Sequence, residues 1–359
     1  MQVVEPQSAA GTYSHEELQR FCERVFEKLG MPAADAAVLA AHLVWADARG
    51  ITWLGVRKIP QYAARLRDGG TAADAQPVTV LDKPSVLVVD GRNGWGIVTG
   101  HHVMNAIVAK ARSSGICMGL VRNTSTAGAL GYFATLAVEQ RMIGMANTNC
   151  PPLQAAPGGT TKLIGNQAFA IASPAGRHPP IVLDMATSAI TLARIHGYEQ
   201  RGEPLPAGVA LDRSGNPTVD PASALAGVLL PMAGHRGFGL ALMWEILTGV
   251  LSGSTQFFSD VLMPDVAARP QGISMFLLAI NPELVMPYAD FQARVDRVID
   301  GIHAAPASGN ERLVVPGERS HARATRSKRE GIALARATVA TLSQFGEELG
   351  VHWPRPRTS

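Results

Sequence analysis

Few residue patterns in this chain of 359 residues have the spacing that common catalytic motifs require. The glycine cluster from Gly91 to Gly96 lacks the G-x-G-x-x-G spacing that identifies many dinucleotide-binding loops. The chain also contains no Walker loop, no H-E-x-x-H and no G-x-S-x-G sequence. The segment Pro151–Gly165 is rich in proline and glycine, which is typical of a functional loop. Generic motifs therefore leave the chemistry open.

The cysteines also leave the chemistry open, but they bear on the compartment. Cys22, Cys117 and Cys150 are far apart and odd in number, so they predict neither a disulfide framework nor a metal site. We expect buried thiols in a reducing compartment. Met1–Gly11 lacks the basic and apolar regions of a signal peptide, and no apolar run approaches the roughly 18 residues that span a bilayer. These features predict a cytoplasmic protein without a membrane partner.

The composition favours a globular protein that does not bind nucleic acid. Apolar residues make up 47% of the chain and charged residues 17%, which excludes a disordered chain. The net charge is only +3, and aromatic residues are not interleaved with the basic ones. The basic run Arg312–Arg329 is typical of a solvated helix face.

Hydrophobic periodicity indicates the elements that position any site. Ser14 and Glu17 form a capping box that opens a first helix, which Gly30 ends. Helices and strands then alternate, which predicts an α/β core. The predicted strands are 85–90, 117–122, 143–147, 168–173, 181–184 and 275–280, and the further predicted helices are 33–49, 103–113, 127–139, 238–251 and 291–304.

The middle of the chain resembles a known family. The segments that carry the resemblance are Asp184–Ser188, Gly208–Asp212, Gly215–Pro221 and Gly234–Leu240. Supporting matches are Ala46–Gly50, Pro60–Tyr62, Asn123 with Gly128, Gly131–Tyr132, Gly158–Gly159, Gly165–Asn166 and Pro316–Glu318. In this order they resemble the malate/L-lactate dehydrogenase family, which includes sulfolactate, ureidoglycolate and 2,3-diketogulonate oxidoreductases and cyclic imino acid reductases.

The resemblance implies a mixed-sheet α/β fold of the L-sulfolactate dehydrogenase type, distinct from the Rossmann fold. Residues 1–120 with 290–359 are predicted to form a helical, substrate-side part, and residues 121–289 an NAD(P)-binding α/β part. The implied partners are a second copy of the chain and a small carboxylic acid or imino acid. The implied reaction is hydride transfer between C4 of NAD or NADP and C2 of the acid.

The resemblance also assigns residues to the cofactor. They are Asn149, Cys150, Gly165, Asn166, Asp184, Met185, Ala186, Arg236 and Gly237. Backbone amides of the loop 157–165 are suited to a pyrophosphate, and Arg236 supplies a fixed positive charge where the family usually has lysine. A structural alternative for Asp184 is that it caps the next helix.

The family's active-site histidines are missing from this chain. Where members carry Ser-His-Gly-Val-x-Arg, this sequence has Trp53 for serine, Leu54 for histidine and Lys58 for arginine. Thr126 and Met275 stand where two further histidines are expected. Leucine cannot donate the proton that a ketone requires on reduction. The bulk of Trp53, Leu54 and Met275 predicts an apolar pocket and a substrate with a hydrophobic part.

Four functional hypotheses follow. In the first, a keto or hydroxy acid reacts with Lys58, Tyr62 or a water relaying the proton, and the catalytic set is Lys58, Tyr62, Thr126 and Asp184. In the second, the substrate is an imine, which arrives protonated and needs no acid. In the third, the protein binds the cofactor but has lost its chemistry. In the fourth, a non-enzymatic scaffold uses its basic C-terminal tail. Of the remaining histidines, His235 is the best candidate acid.

Overall fold

The computed structural model describes residues 9–308 and 312–357. The strands are β1 (Ala9–Tyr13), β2 (Val78–Lys83), β3 (Val86–Asp90), β4 (Ile116–Thr124), β5 (Ile143–Thr148), β6 (Phe169–Ser173), β7 (Ile181–Met185), β8 (Ala210–Leu211), β9 (Val228–Leu229), β10 (Ile273–Ile280) and β11 (Ile332–Ala335). The helices are α1 (His15–Lys28), α2 (Ala33–Ala48), α3 (Ile59–Arg67), α4 (Gly96–Ser114), α5 (Leu130–Glu139), α6 (Leu192–Arg201), α7 (Pro221–Ala226), α8 (His235–Glu245), α9 (Tyr288–Ala304), α10 (Glu318–Glu330) and α11 (Arg336–Glu348). The first eight residues, on which the expectation about a signal peptide depends, lie outside the described part.

A seven-stranded mixed sheet forms the centre of the fold. Its strand order is β2-β3-β4-β10-β5-β6-β7. β3 and β4 pair in parallel, and the other neighbouring pairs in this sheet are antiparallel. A Rossmann sheet is mostly parallel, so this topology confirms the predicted mixed-sheet α/β fold of non-Rossmann type.

Helices cover the two faces of the sheet unequally. Buried side chains of α4 and α5 pack on one face, where Ile107, Phe133 and Leu277 belong to the same apolar core. The other face packs against α8 through Trp244, which lies beside Phe169. A second core lies between α1, α2 and α11, beside the antiparallel pair β1–β11.

The sheet also takes strands from the first part of the chain. β2 and β3 come from the segment 1–120, which the sequence assigned to the helical part. They join the sheet because β3 pairs with β4 from Val86↔Met118 to Asp90↔Arg122. Residues 1–120 therefore contribute both helices and sheet strands, while the functional division of the chain stays a prediction.

Most predicted elements are present, with changed bounds. The cap of α1 is confirmed, since the Ser14 side chain accepts a hydrogen bond from the Glu17 amide at 3.1 Å. The start at Val103 predicted for the helix 103–113 is wrong, because the corresponding α4 begins at Gly96, whose amide donates to the Ser125 carbonyl at 2.5 Å. No helix in the described part of the chain is long and apolar enough to cross a membrane.

Candidate functional site

A buried carboxylate fixes the segment that replaces the family's Ser-His-Gly-Val-x-Arg. Residues 52–58 form two consecutive 3-10 turns after α2. Asp47, which is 6% exposed, accepts a hydrogen bond from the Val56 amide at 2.7 Å. A Cβ at Gly55 would lie 2.1 Å from the Asp47 carboxylate, so only glycine fits there. Burial raises the Asp47 pKa to about 7, against the effect of that hydrogen bond. The segment is thus positioned through its main chain.

The Trp53 ring contacts side chains of this segment and a side chain of α6. The guanidinium carbon of Arg57 lies 4.5 Å from the Trp53 ring centroid, and Lys58 Nζ lies 4.8 Å from it. The imidazole of His196 on α6 stacks on the same indole at 5.0 Å, with 17° between the planes. Two cations and an imidazole therefore share one aromatic ring.

Lys58 and Tyr62 differ as candidate proton donors. Burial, and then the nearby Arg57, lower the Lys58 pKa to about 8. Lys58 Nζ also donates to Gln61 Oε1 at 3.0 Å. Tyr62 is 1% exposed, and its hydroxyl has no hydrogen-bond partner among the described residues. Burial raises the Tyr62 pKa, which makes its phenol a poorer acid. Leu54 lies half-buried beside these groups in the first turn.

The observed contacts of Thr126 and Met275 are with residues outside the segment 52–58. Both the amide and the hydroxyl of Thr126 donate to Gln271 Oε1 at 3.0 Å. Met275 is fully buried, and in the sheet register it lies opposite Val121 on β4. A Cβ at Gly100 would lie 3.0 Å from the Met275 sulfur. In the described chain Met275 is part of the core beneath α4, and its role in a substrate pocket stays a prediction.

Asp184 lies at the end of β7 and faces the start of α5. Its Oδ2 accepts a hydrogen bond from the Gly131 amide at 2.8 Å. The hypothesis that Asp184 caps the next helix is wrong, because Thr191 caps α6 by accepting from the Arg194 amide at 3.4 Å. Burial raises the Asp184 pKa to about 6, against the effect of the Gly131 hydrogen bond. A carboxyl with this pKa exchanges a proton near neutral pH.

The predicted cofactor residues at the end of β5, before β6 and at the end of β7 lie close together. The buried Asn149 side chain accepts from the Ser274 amide at 2.8 Å. Gly165 packs on Cys150, since a Cβ there would lie 2.4 Å from the Cys150 carbonyl oxygen. The Asn166 carbonyl accepts from both the amide and the hydroxyl of Thr187 at 2.8 Å. Met185 and Ala186 are half-buried between Asp184 and Thr187. Burial raises the Cys150 pKa to about 11, so this cysteine is present as the thiol.

The start of α8 borders the same strand ends. The Met232 amide donates to the Thr187 carbonyl at 2.9 Å, which joins this start to the end of β7. Gly237 fits closely, because a Cβ there would lie 2.2 Å from the Met232 carbonyl oxygen. At Gly234 a Cβ would meet no atom within 4 Å, so a ligand can approach the backbone. Arg236 is exposed and has no ion pair among the described residues.

These residues suit an anionic cofactor. The positive end of the α8 dipole and the charge of Arg236 both favour phosphate at this position. The loop 157–165 offers fewer free amides than the sequence suggested. The Gly159 amide donates to the Ala156 carbonyl, and the amides of residues 163 and 164 donate to the Gln154 carbonyl. The pyrophosphate cradle in this loop stays a prediction.

Comparison with known proteins identifies the family. The family model for malate/L-lactate dehydrogenase matches residues 13–343, so the chain belongs to this family and is an oxidoreductase. The hypothesis of a non-enzymatic scaffold is therefore wrong.

Particular relatives share most of this chain. The malate dehydrogenase of Pyrococcus horikoshii is 32% identical over 340 residues, which are 92% of this chain and 93% of the relative. A solved structure of sulfolactate dehydrogenase from Methanocaldococcus jannaschii superposes with a TM-score of 0.89 at 31% identity, over 95% of this chain and 98% of that one. The delta1-piperideine-2-carboxylate reductase of Pseudomonas syringae gives a TM-score of 0.84 at 29% identity, over 93% and 99%.

Three residues of the site were missed by the sequence analysis. Asp47 lies in the matched segment Ala46–Gly50, but only the structure shows that its carboxylate holds the Val56 amide. Gln271 and His196 lie far along the chain from Thr126 and Trp53, which they contact. No local pattern signals such contacts.

Proposed function

We propose that the protein transfers a hydride between C4 of NAD or NADP and C2 of a small 2-keto or 2-hydroxy acid. One observation carries the proposal. The predicted cofactor residues at the ends of β5 and β7 meet the start of α8, and α6 leads from there to the cationic segment around Trp53. This arrangement supports a phosphate-binding helix start joined through α6 to a segment with two positive charges.

We assign one set of residues to the cofactor and another to the substrate. Arg236 and the open backbone at Gly234 hold the phosphates, while Asp184, Met185 and Ala186 line the path towards the substrate. The bound nicotinamide supplies or accepts the hydride. Lys58 pairs with the substrate carboxylate, and its half-buried position strengthens that pairing. Tyr62 and Thr126 stay predicted members of the catalytic set.

A second function has support of its own. The chain carries Leu54 where the family's histidine is expected, and an iminium ion needs no proton donor. The similarity to a piperideine-carboxylate reductase supports reduction of a cyclic imino acid. The two functions differ in the atom bonded to C2, which is oxygen in one and nitrogen in the other.

We also propose a homodimer. Along α8 and the turn after it, exposed apolar side chains form a stripe that comprises Leu242, Met243, Ile246, Val250 and Leu251. Such a stripe on one helix is typical of a protein interface. A large groove in the described chain, of about 520 Å³, lies between α1 and residues 352–354. None of the predicted site residues lines it, so it is not assigned to the dimer or to the site. A second copy seated on α8 would enclose the open cofactor site.

The test is a fluorescence titration of the purified protein with NADH and NADPH, followed by turnover on panels of 2-keto acids and cyclic imino acids. We expect binding of one nucleotide and reduction of a 2-keto acid. Reduction of cyclic imino acids alone would favour the second function. Failure to bind either nucleotide would contradict both functions, and binding without turnover would indicate a chain that has lost its chemistry.

A further inference from the structure

An imidazole lies beside the segment from which the family's histidine is missing. His196 is the fifth residue of α6 and is half-buried. Its ring lies almost parallel to the indole of Trp53, 5.0 Å between centroids. Trp53 is the neighbour of Leu54, which replaces the expected histidine. The stack therefore brings an imidazole from another element to this segment.

One nitrogen of the His196 ring pairs with a carboxylate. Nδ1 lies 3.1 Å from Glu199 Oε2, one turn along the same helix. An ionised carboxylate only accepts hydrogen bonds, so Nδ1 carries a hydrogen. Nε2 has no hydrogen-bond partner among the described residues. Nε2 is thus the nitrogen available to exchange a proton with a ligand.

The chain connects His196 to both parts of the proposed site. α6 is the helix that follows β7, the strand that carries Asp184, after the connection 186–191. On the other side, the indole against which His196 stacks is also contacted by Lys58, which we assign to the substrate carboxylate. Lys58 and His196 therefore both contact the indole of Trp53.

We propose that His196 is the proton donor that replaces the family's missing histidine, an inference that rests on the proposed reduction of a 2-keto acid. The reduced nicotinamide gives its hydride, with both electrons, to C2 of the substrate. The carbonyl π bond opens onto oxygen, and the His196 imidazolium transfers its Nε2 proton to that oxygen. The products are the 2-hydroxy acid, the oxidised nicotinamide and a neutral His196. Oxidation of the hydroxy acid runs through the same steps in reverse.

The decisive variant removes the ionisable imidazole but keeps an aromatic ring stacked on Trp53. His196→Phe retains an aromatic ring against Trp53 but has no ionisable group. We expect kcat for 2-keto acid reduction to fall by about 10²–10⁴-fold, the usual contribution of a general acid. Reduction of a cyclic imino acid, which arrives protonated, is expected to change little, and so is the affinity for reduced nicotinamide. His102→Phe, at an exposed histidine of α4, is the matched control and is expected to leave both rates unchanged.

Glu199→Gln separates orientation from acidity. Glutamine retains an oxygen that accepts from Nδ1 but lacks the charge, so we expect a smaller loss of keto acid reduction than in His196→Phe. Keto acid reduction by His196→Phe at the wild-type rate would overturn the proposal. A wild-type enzyme that reduces only cyclic imino acids would overturn it too, since no oxygen then needs a proton. A wild-type protein that binds no nicotinamide would instead refute the proposed function itself.

Discussion

Two regions of the molecule have diverged from the family pattern to different degrees. The edge to which we assign the cofactor, called the cofactor edge and defined as residues 149–150, 165–166, 184–187 and 234–237, departs from the family pattern at Arg236 and is joined by main-chain contacts. The substrate segment, defined as residues 52–58, keeps its backbone clamp through Asp47 and Gly55. Its exposed and half-buried side chains, however, differ from those that the resemblance implies.

The difference shows that shape and chemistry are determined separately in the substrate segment. Asp47 holds the amide of Val56, so the two turns form whatever side chains stand at 53 and 54. The resemblance implies serine and histidine at these positions, and the hydrogen bond of Asp47 to the main chain uses neither side chain. At the cofactor edge the packing depends on glycine, as it does at Gly55, because Gly165 and Gly237 leave no room for a Cβ.

Among changes within the substrate segment and the cofactor edge, removing the Lys58 charge is expected to have the largest effect on kcat/KM. Lys58→Ala leaves the substrate carboxylate without its partner. A hydrogen bond between charged groups contributes about 1.5–3 kcal/mol, so kcat/KM should fall by roughly 10–100-fold. Lys58→Arg keeps the charge and should retain most activity. Steady-state kinetics on the preferred acid decides this, and an active Lys58→Ala enzyme would remove Lys58 from the site.

The apolar stripe on α8 tests whether the cofactor edge depends on a second copy. Met243 is 54% exposed in the single chain, so Met243→Glu should place an unpaired charge in the proposed interface. We expect the dimer to dissociate by analytical ultracentrifugation and nicotinamide affinity to fall with it. Val285→Glu, at a residue 77% exposed outside the stripe, is the control. A Met243→Glu protein that stays dimeric would place the interface elsewhere.

A pair of glycines on α8 tests the cofactor edge by steric change alone. Gly237→Ala would force a shift of the helix start away from Met232, at a cost of about 1–3 kcal/mol in the free energy of unfolding. Nicotinamide should bind more weakly, as measured by fluorescence titration. Gly239→Ala meets no atom within 4 Å and should leave binding and stability almost unchanged. Equal effects of the two changes would contradict the assignment.

The backbone clamp of the substrate segment is tested at Asp47. Asp47→Ala leaves the buried Val56 amide without an acceptor, which costs about 1–3 kcal/mol in the free energy of unfolding. Asp47→Asn keeps the acceptor and should cost less. Because burial raises the Asp47 pKa to about 7, the wild-type folded state retains a proton that the unfolded state releases. This contribution to stability is full below about pH 4 and is lost as the pH rises to about 7. Urea titrations across this range should show a flatter pH dependence for Asp47→Asn.

The smallest effect concerns the pH dependence of substrate binding. With a pKa of about 8, the Lys58 ammonium loses its proton as the pH rises through that value. The neutral amine cannot pair with a carboxylate, so kcat/KM should decline above pH 8. Lys58→Arg should remove that decline, because a guanidinium stays charged. Identical pH profiles for the two enzymes would show that another group titrates.

Local sequence patterns predicted the helices and strands that have a capping box or a clear apolar run. The capping box of α1 and the apolar runs of β4 and β10 led to elements close to their observed bounds. The β1–β11 pair was missed, because it joins opposite ends of the chain. α6 was missed as well, since its sequence has few apolar residues.

The sequence predicted those site residues that lie at the ends of predicted strands. Asp184 and Gly165 lie at strand ends that the sequence indicated, and the structure brings them to one edge. His196 escaped detection because its contact with Trp53 depends on how α6 is placed against the substrate segment. Thr126 and Met275 were assigned by resemblance alone, and their observed contacts are with Gln271 and the core.

A single-turnover experiment tests the central claim most directly, namely that the chain retains nicotinamide chemistry despite its missing histidines. The protein is loaded with one equivalent of the reduced nicotinamide that it binds and is mixed rapidly with a 2-keto acid. The account predicts that reduced-nicotinamide absorbance disappears in one exponential phase and that the matching 2-hydroxy acid is recovered. Absorbance that persists with every keto acid, while the nucleotide stays bound, would contradict it.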